Sequence, residues 1–189
     1  MSVRALVVVM AVLFAGTPHG RVQSARSAAG TGGPSPLENE ILSLQTDGSD
    51  RLHLTNKLTG KSFDIAAAPF GFLFEIGGRT LPADSRDFAP DSVVRPSPDL
   101  LRVRFEGQGD LAGLAVEAEY RLAPGSWYVR KLLRVINGRN GPIVVRDATI
   151  DAIRIENVPL PEKAENPVFL NGQIFWGLEW PIAEAALRD

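Results

Sequence analysis

The residues best suited to chemistry lie near the C-terminus. Residues 167–181 read PVFLNGQIFWGLEWP and gather Phe175, Trp176 and Trp180 around Gly177 and Glu179. Flat aromatic faces beside a carboxylate are what sugar recognition needs. A ring stacks on the C–H face of the sugar, and the carboxylate accepts from its hydroxyls. Trp176, Glu179 and Trp180 are therefore the candidate carbohydrate-binding residues. The competing assignment has the rings filling a core and Glu179 making a structural hydrogen bond, since large aromatics dominate cores. A second candidate is the pair Asp147 and Asp151, four residues apart in a strand-like run and hence on one face. Two such carboxylates can bind calcium or work as acid and base. They equally suit a solvated sheet face.

Other chemistries lack their residues. The chain has 189 residues, no cysteine and two histidines, His19 and His53. No disulfide framework or thiolate metal site can form. His53 stands alone in the strand-like run RLHLT, where histidine is usually structural, and triads or histidine-ligated metals need more. No phosphate loop, dinucleotide fingerprint or HExxH helix occurs. No cofactor and no metal are therefore expected. The net charge of -2, without a basic block, argues against nucleic acid.

The N-terminus reads as a targeting segment. Arg4 precedes the apolar run Ala5 to Gly16, which Pro18 and Gly20 then break. A bilayer span needs about 20 apolar residues, so a secretory signal peptide fits better than a stable membrane anchor. Val22-Gln23-Ser24 and Ser27-Ala28-Ala29 both offer small residues at the cleavage positions. Removing residues 1–24 takes Arg4, Arg21 and His19 but no acid, leaving 18 basic residues against 22 acidic ones. The expected organisation is a signal peptide over 1–24, a flexible Gly/Pro/Ser-rich lead-in over 25–38 and a β-sandwich domain over 39–189. The expected location is periplasmic or extracellular.

The body of the chain has an apolar period of two. In LLRVRFEG, Leu101, Val103 and Phe105 oppose Arg102, Arg104 and Glu106; in LAVEAEYRL, Leu114, Val116, Ala118, Tyr120 and Leu122 oppose Glu117, Glu119 and Arg121. One dry and one wet face indicate antiparallel sheet. Ala123-Pro124-Gly125-Ser126 suits a type II turn. Asn56 to Lys61 and Asn137 to Pro142 both read as hairpin loops. Two runs break phase: WYVRKLLRVI near Lys131 and Leu132, and VVRDATIDAIRI between Ala152 and Ile153. Each break predicts a bulge or a strand that changes sheets. Arg130 and Lys131, beside Trp127 and Tyr128, read as the wet face of a long strand, within reach of a ligand.

Three segments carry a resemblance: LHLTNKLTGKSFDI (52–65), AVEAEYRLAPGSWYVRKLLRVIN (115–137) and VFLNGQIFWGLEWP (168–181). Their order is similar to that in the N-terminal galactose-mutarotase-like (supersandwich) β-sandwich of α-galactosidase-type glycoside hydrolases. The resemblance implies an all-β, large antiparallel sandwich that packs on a catalytic barrel and helps shape its sugar site. In that family the catalytic carboxylates lie on the barrel, downstream, so no catalytic residue is carried over. A truncated or split product, or a free-standing sandwich, is the expectation.

Three functions follow. The first is a non-catalytic, carbohydrate-associated sandwich from an exported glycoside hydrolase. The second is residual glycosidase or epimerase work by Asp147, Asp151 and Glu179, which needs two carboxylates about 5–10 Å apart across a cleft. The third is an interaction module whose exposed sheet edges pair with a partner chain.

Overall fold

The computed structural model describes residues 2–11, 35–46, 51–68, 70–150, 152–154, 168–170 and 174–178, with side chains described for 35–46, 52–63 and 70–150. In chain order the strands are β1 (Ser2–Ala11), β2 (Leu37–Glu38), β3 (Leu42–Thr46), β4 (Arg51–Asn56), β5 (Lys61–Ala68), β6 (Gly71–Ile76) and β7 (Arg79–Asp84). After them come β8 (Phe88–Ser97), β9 (Leu100–Gly107), β10 (Leu114–Arg121), β11 (Tyr128–Asn137), β12 (Ile143–Thr149), β13 (Ala152–Arg154), β14 (Val168–Leu170) and β15 (Ile174–Leu178). All of these strands pair antiparallel. They form an all-β sandwich. One layer is a seven-stranded sheet ordered β14-β15-β1-β11-β10-β9-β8. The opposing layer is divided into a three-stranded sheet, β12-β6-β7, and a five-stranded sheet, β13-β5-β4-β3-β2.

The alternation read from sequence makes the core. Leu101, Val103 and Phe105 of β9 and Leu114, Val116, Ala118 and Tyr120 of β10 are buried, and they join Leu42, Leu44, Leu52 and Leu54 of the five-stranded sheet in one cluster. Phe72, Phe74 and Ala83 supply the three-stranded sheet's share. The fold already includes Leu37, which is fully buried and pairs with Leu44, inside the stretch read as lead-in.

Turn chemistry shapes the reversals. Gly125 has φ +71°, and the Ser126 amide donates to the Ala123 carbonyl at 3.1 Å, closing the predicted turn. The Asn56–Lys61 loop closes the β4–β5 hairpin. There the buried Asn56 Oδ1 accepts from the amides of Leu58 and Thr59 at 2.8 and 3.1 Å, taking two donors that the turn leaves over.

The Asn137–Pro142 loop corrects a prediction. It is no hairpin: β11 belongs to the seven-stranded sheet and β12 pairs with β6 in the other layer. Its asparagine bonds are local, with Asn137 Oδ1 accepting from the Arg139 amide at 3.0 Å and Nδ2 donating to the Gly141 carbonyl at 2.7 Å. Such bonds cap a turn without specifying which sheet the outgoing strand joins. The two phase breaks also resolve. The β10–β11 register is unbroken through Lys131 and Leu132. The bulge lies on β1, where Leu6 falls between Ala5 opposite Leu133 and Val7 opposite Leu132. In the second run the strand changes sheets between Thr149, the last residue of β12 on β6, and Ala152, the first of β13 on β5, slightly earlier than the sequence indicated.

Gly107 at the end of β9 is a packing requirement. A Cβ there would lie 2.4 Å from the Leu111 carbonyl oxygen, a backbone atom of the short 3₁₀ turn Gly109–Leu111. Gly107→Ala is expected to cost about 1–3 kcal/mol, the range for forced overpacking. Urea unfolding measures it; an unchanged midpoint would show that the turn moves aside freely.

Candidate functional site

Of the three residues nominated for sugar binding, only Trp176 is described. It lies on β15, with its backbone paired to Val168 of β14 and Met10 of β1. Glu179 and Trp180 lie outside the described residues, as does Asp151.

Asp147 is placed just after a bulge in β12, where the register with β6 shifts between Val145 and Asp147. It borders an open depression of about 550 Å³, together with Asp84, Asp87 and Thr149. The carboxylates there have local work. Asp84 Oδ1 accepts from the Arg86 amide at 2.9 Å, and Asp87 Oδ2 accepts from the Asp84 amide at 2.9 Å, a reciprocal cap on the 3₁₀ turn Ser85–Asp87. Asp147 Oδ1 accepts from the next amide, Ala148, at 2.8 Å. The side-chain hydrogen bond from Arg86 holds the Asp84 carboxyl below the usual carboxylate range. A carboxyl held down this way is a poor general acid, because that role needs a proton retained near neutral pH. Among the described residues no group of three or more His, Asp or Glu side chains is arranged to hold a metal ion.

The outer face of the seven-stranded sheet carries a cross-strand lattice. Glu117 lies opposite Arg104 on one side and Arg134 on the other. It accepts from Arg104 Nη1 at 3.3 Å and from Arg134 Nη1 at 3.0 Å. Glu119 accepts from Arg102 Nη2 at 2.9 Å. Alternating cations and anions at directly opposed positions are a sheet-stabilising arrangement. These charges are occupied with one another, which suits a structural role.

The aromatic group that the described residues do present to solvent is one the sequence offered only in passing. Trp127 follows the type II turn, and 45% of its surface is exposed. Its setting is preorganised. Asn39 Nδ2 donates to the carbonyls of Ala123 and Ser126 at 2.8 and 2.9 Å, while its Oδ1 accepts from the amides of Ile41 and Leu42, both at 2.8 Å. One buttressing side chain thus ties the start of β3 to the turn ahead of β11. Ser126 Oγ donates to the Tyr128 carbonyl at 2.8 Å. Nearby, the Arg130 guanidinium sits 5.3 Å from the Tyr128 ring centre, within cation–π range. Glu40 Oε1 lies 3.6 Å from where a side chain on Gly125 would begin. The turn that carries Trp127 thus has the Glu40 carboxylate beside it, and the strand it leads into opens with the Tyr128–Arg130 pair.

Lys131 is not part of that wet surface. It points into the core, with 3% exposure, and its Nζ donates to the Ile150 carbonyl at 3.0 Å and lies 5.6 Å from the Tyr120 ring centre. Val129, Lys131, Leu133 and Val135 therefore keep perfect alternation. The slip in the sequence pattern is therefore a buried lysine on the apolar face.

Fold and surface define a class: an antiparallel all-β sandwich with a structural charge lattice on one face and an aromatic turn at one end. No protein-family model, no curated protein and no solved structure matches the chain.

Proposed function

We propose that the protein is an exported, non-catalytic, carbohydrate-associated β-sandwich of the supersandwich type, related to the N-terminal part of α-galactosidase-type glycoside hydrolases. The observation that carries the reading is the exposed Trp127 indole on a turn fixed from both sides by Asn39 and Ser126. A preorganised aromatic platform with a carboxylate and a guanidinium nearby matches the chemistry of a sugar, which offers an apolar C–H face rimmed by hydroxyls. The resemblance lends further support: its first segment is the β4–β5 hairpin, its second the β10–β11 pair with Trp127 between them, and its third the β14–β15 hairpin. Trp176, Glu179 and Trp180 form a second candidate contact set under the same reading. A catalytic barrel, as a further domain or a partner chain, is the proposed neighbour.

Calorimetric titration with galactosides and plant or bacterial polysaccharides tests the reading. Trp127→Ala is expected to lower affinity at least about tenfold, a loss of roughly 1.4 kcal/mol, with the unfolding midpoint nearly unchanged because the indole is substantially solvated. Absence of heat with every sugar tried would remove the binding claim. Binding that survives Trp127→Ala but falls in Trp176→Ala or Trp180→Ala would move the site to the C-terminal segment.

A further inference from the structure

The segment read as a signal occupies a structural slot. β1 runs antiparallel to β11 from Ser2 opposite Ile136 to Ala11 opposite Tyr128, and its other edge pairs with β15. The slot lies inside the seven-stranded sheet. The β11 strand beside it is a core strand, with Val129, Leu133 and Val135 almost fully buried. A segment that is threaded out of the cell and removed cannot also remain an interior strand. Once it leaves, the backbone amides and carbonyls of Tyr128 to Ile136 that faced it lose their partners. Unpaired groups at such an edge are a template for another strand.

We propose that in the exported protein the β11 edge is a strand-acceptor site, filled by an extended apolar segment of a partner polypeptide that docks antiparallel to Tyr128–Asn137. The inference rests on the export reading of residues 1–24.

The occupant's chemistry follows from the slot. Register sets Val3, Ala5, Val8 and Met10 opposite Val135, Leu133, Lys131 and Val129, the residues of the core face. Val7 and Val9 stand opposite Leu132 and Arg130 on the outer face. The incoming strand is thus apolar on both faces. It carries one cation, Arg4, opposite Arg134, whose guanidinium is already held by Glu117 at 3.0 Å and Glu119 at 3.5 Å. A second copy fits poorly. Its β11 would bring Arg130 and Arg134 to a strand whose outer face already carries the same two cations, and like charges across a strand pair repel. The chain's own β15 runs parallel to β11, since each is antiparallel to β1. It cannot inherit the antiparallel register without turning over. Main-chain hydrogen bonds would supply the affinity and the alternate side chains the specificity.

The test expresses the full-length chain with its own N-terminus and purifies the exported product. Intact mass reports processing. Hydrogen exchange is then followed on β9, β10 and β11, with and without a synthetic peptide of residues 2–11 bearing a charged solubilising tail. The expected result is a processed chain in which the peptide slows exchange across β11 by about tenfold or more, while a peptide carrying Val8→Pro does not. Should the processed chain be unfolded alone, protection of β9 to β11 that appears only with the peptide supports the proposal equally. No slowing in a processed chain overturns the inference and leaves export standing. β11 protection without peptide also overturns it, in favour of a second copy if light scattering shows a dimer, or of closure by the chain itself if it shows a monomer. An unprocessed chain with β11 protected makes β1 a permanent strand, and both readings then fall.

Discussion

Phe70→Ala is expected to lower the free energy of unfolding by about 3–5 kcal/mol, the range for emptying a buried aromatic site. The side chain has no exposed surface. Its ring meets Phe88 and Phe105 edge-on, each with centres 5.2 Å away, and lies 5.7 Å from Phe72. Phe88 and Phe105 belong to the seven-stranded sheet, whereas Phe72 belongs to the three-stranded one. Phe70 therefore bridges those two sheets within their shared core. Truncation removes the apolar transfer energy and also leaves a cavity walled by three rings held on separate strands, which limits collapse. Urea unfolding with the slope unchanged is the measurement. Phe70→Leu, which leaves a smaller void, should lose less. A loss under about 1 kcal/mol for Phe70→Ala would show that the rings close over the gap.

Lys131→Ala is expected to cost about 2–5 kcal/mol, combining a core cavity with the loss of a donor to a buried carbonyl. Lys131 extends from β11 across the core to the Ile150 carbonyl, at the point where the chain passes from the three-stranded to the five-stranded sheet. Lys131→Met keeps most of the stem volume and gives up the donor. Its cost should be about 1–3 kcal/mol, the penalty for removing a hydrogen bond in a buried setting. The difference between the two variants separates packing from polar satisfaction. Equal and small losses in both would mean that the side chain leaves the core readily and that the ammonium does not bolt the layers together.

Much of the local structure was legible. The dry faces of β9 and β10 followed from their period of two, because each position alternates sides of the pleat whatever the strand pairs with. The Ala123–Ser126 turn followed from Pro124 and Gly125, whose backbone preferences are intrinsic. Partner choice was not legible. The Asn137–Pro142 loop has hairpin chemistry, yet it carries the chain to the opposite layer, because turn residues set a reversal and not the sheet that receives the next strand. The sequence places Lys131 in water, because a lysine is seldom buried. The Ile150 carbonyl and the Tyr120 ring, neither of them its neighbour along the chain, help make its burial tolerable.

The candidate site divides the same way. Trp176, Glu179 and Trp180 are clustered in sequence. Trp127 stands out only after folding, when Asn39, remote along the chain, reaches over to brace its turn. The N-terminal run is ambiguous for the same reason. An apolar stretch after Arg4 suits both a membrane-directed signal and a buried strand, since both demand the same hydrophobicity. By itself the sequence determined the β character of the chain, its solvent-facing alternation, its tight turns and the chemistries its residue types exclude. Tertiary structure alone decided which strands share a sheet, that Lys131 enters the core, that Trp127 faces solvent and that β1 pairs with β11. Those outcomes depend on contacts between residues far apart in sequence, and no local window contains both partners.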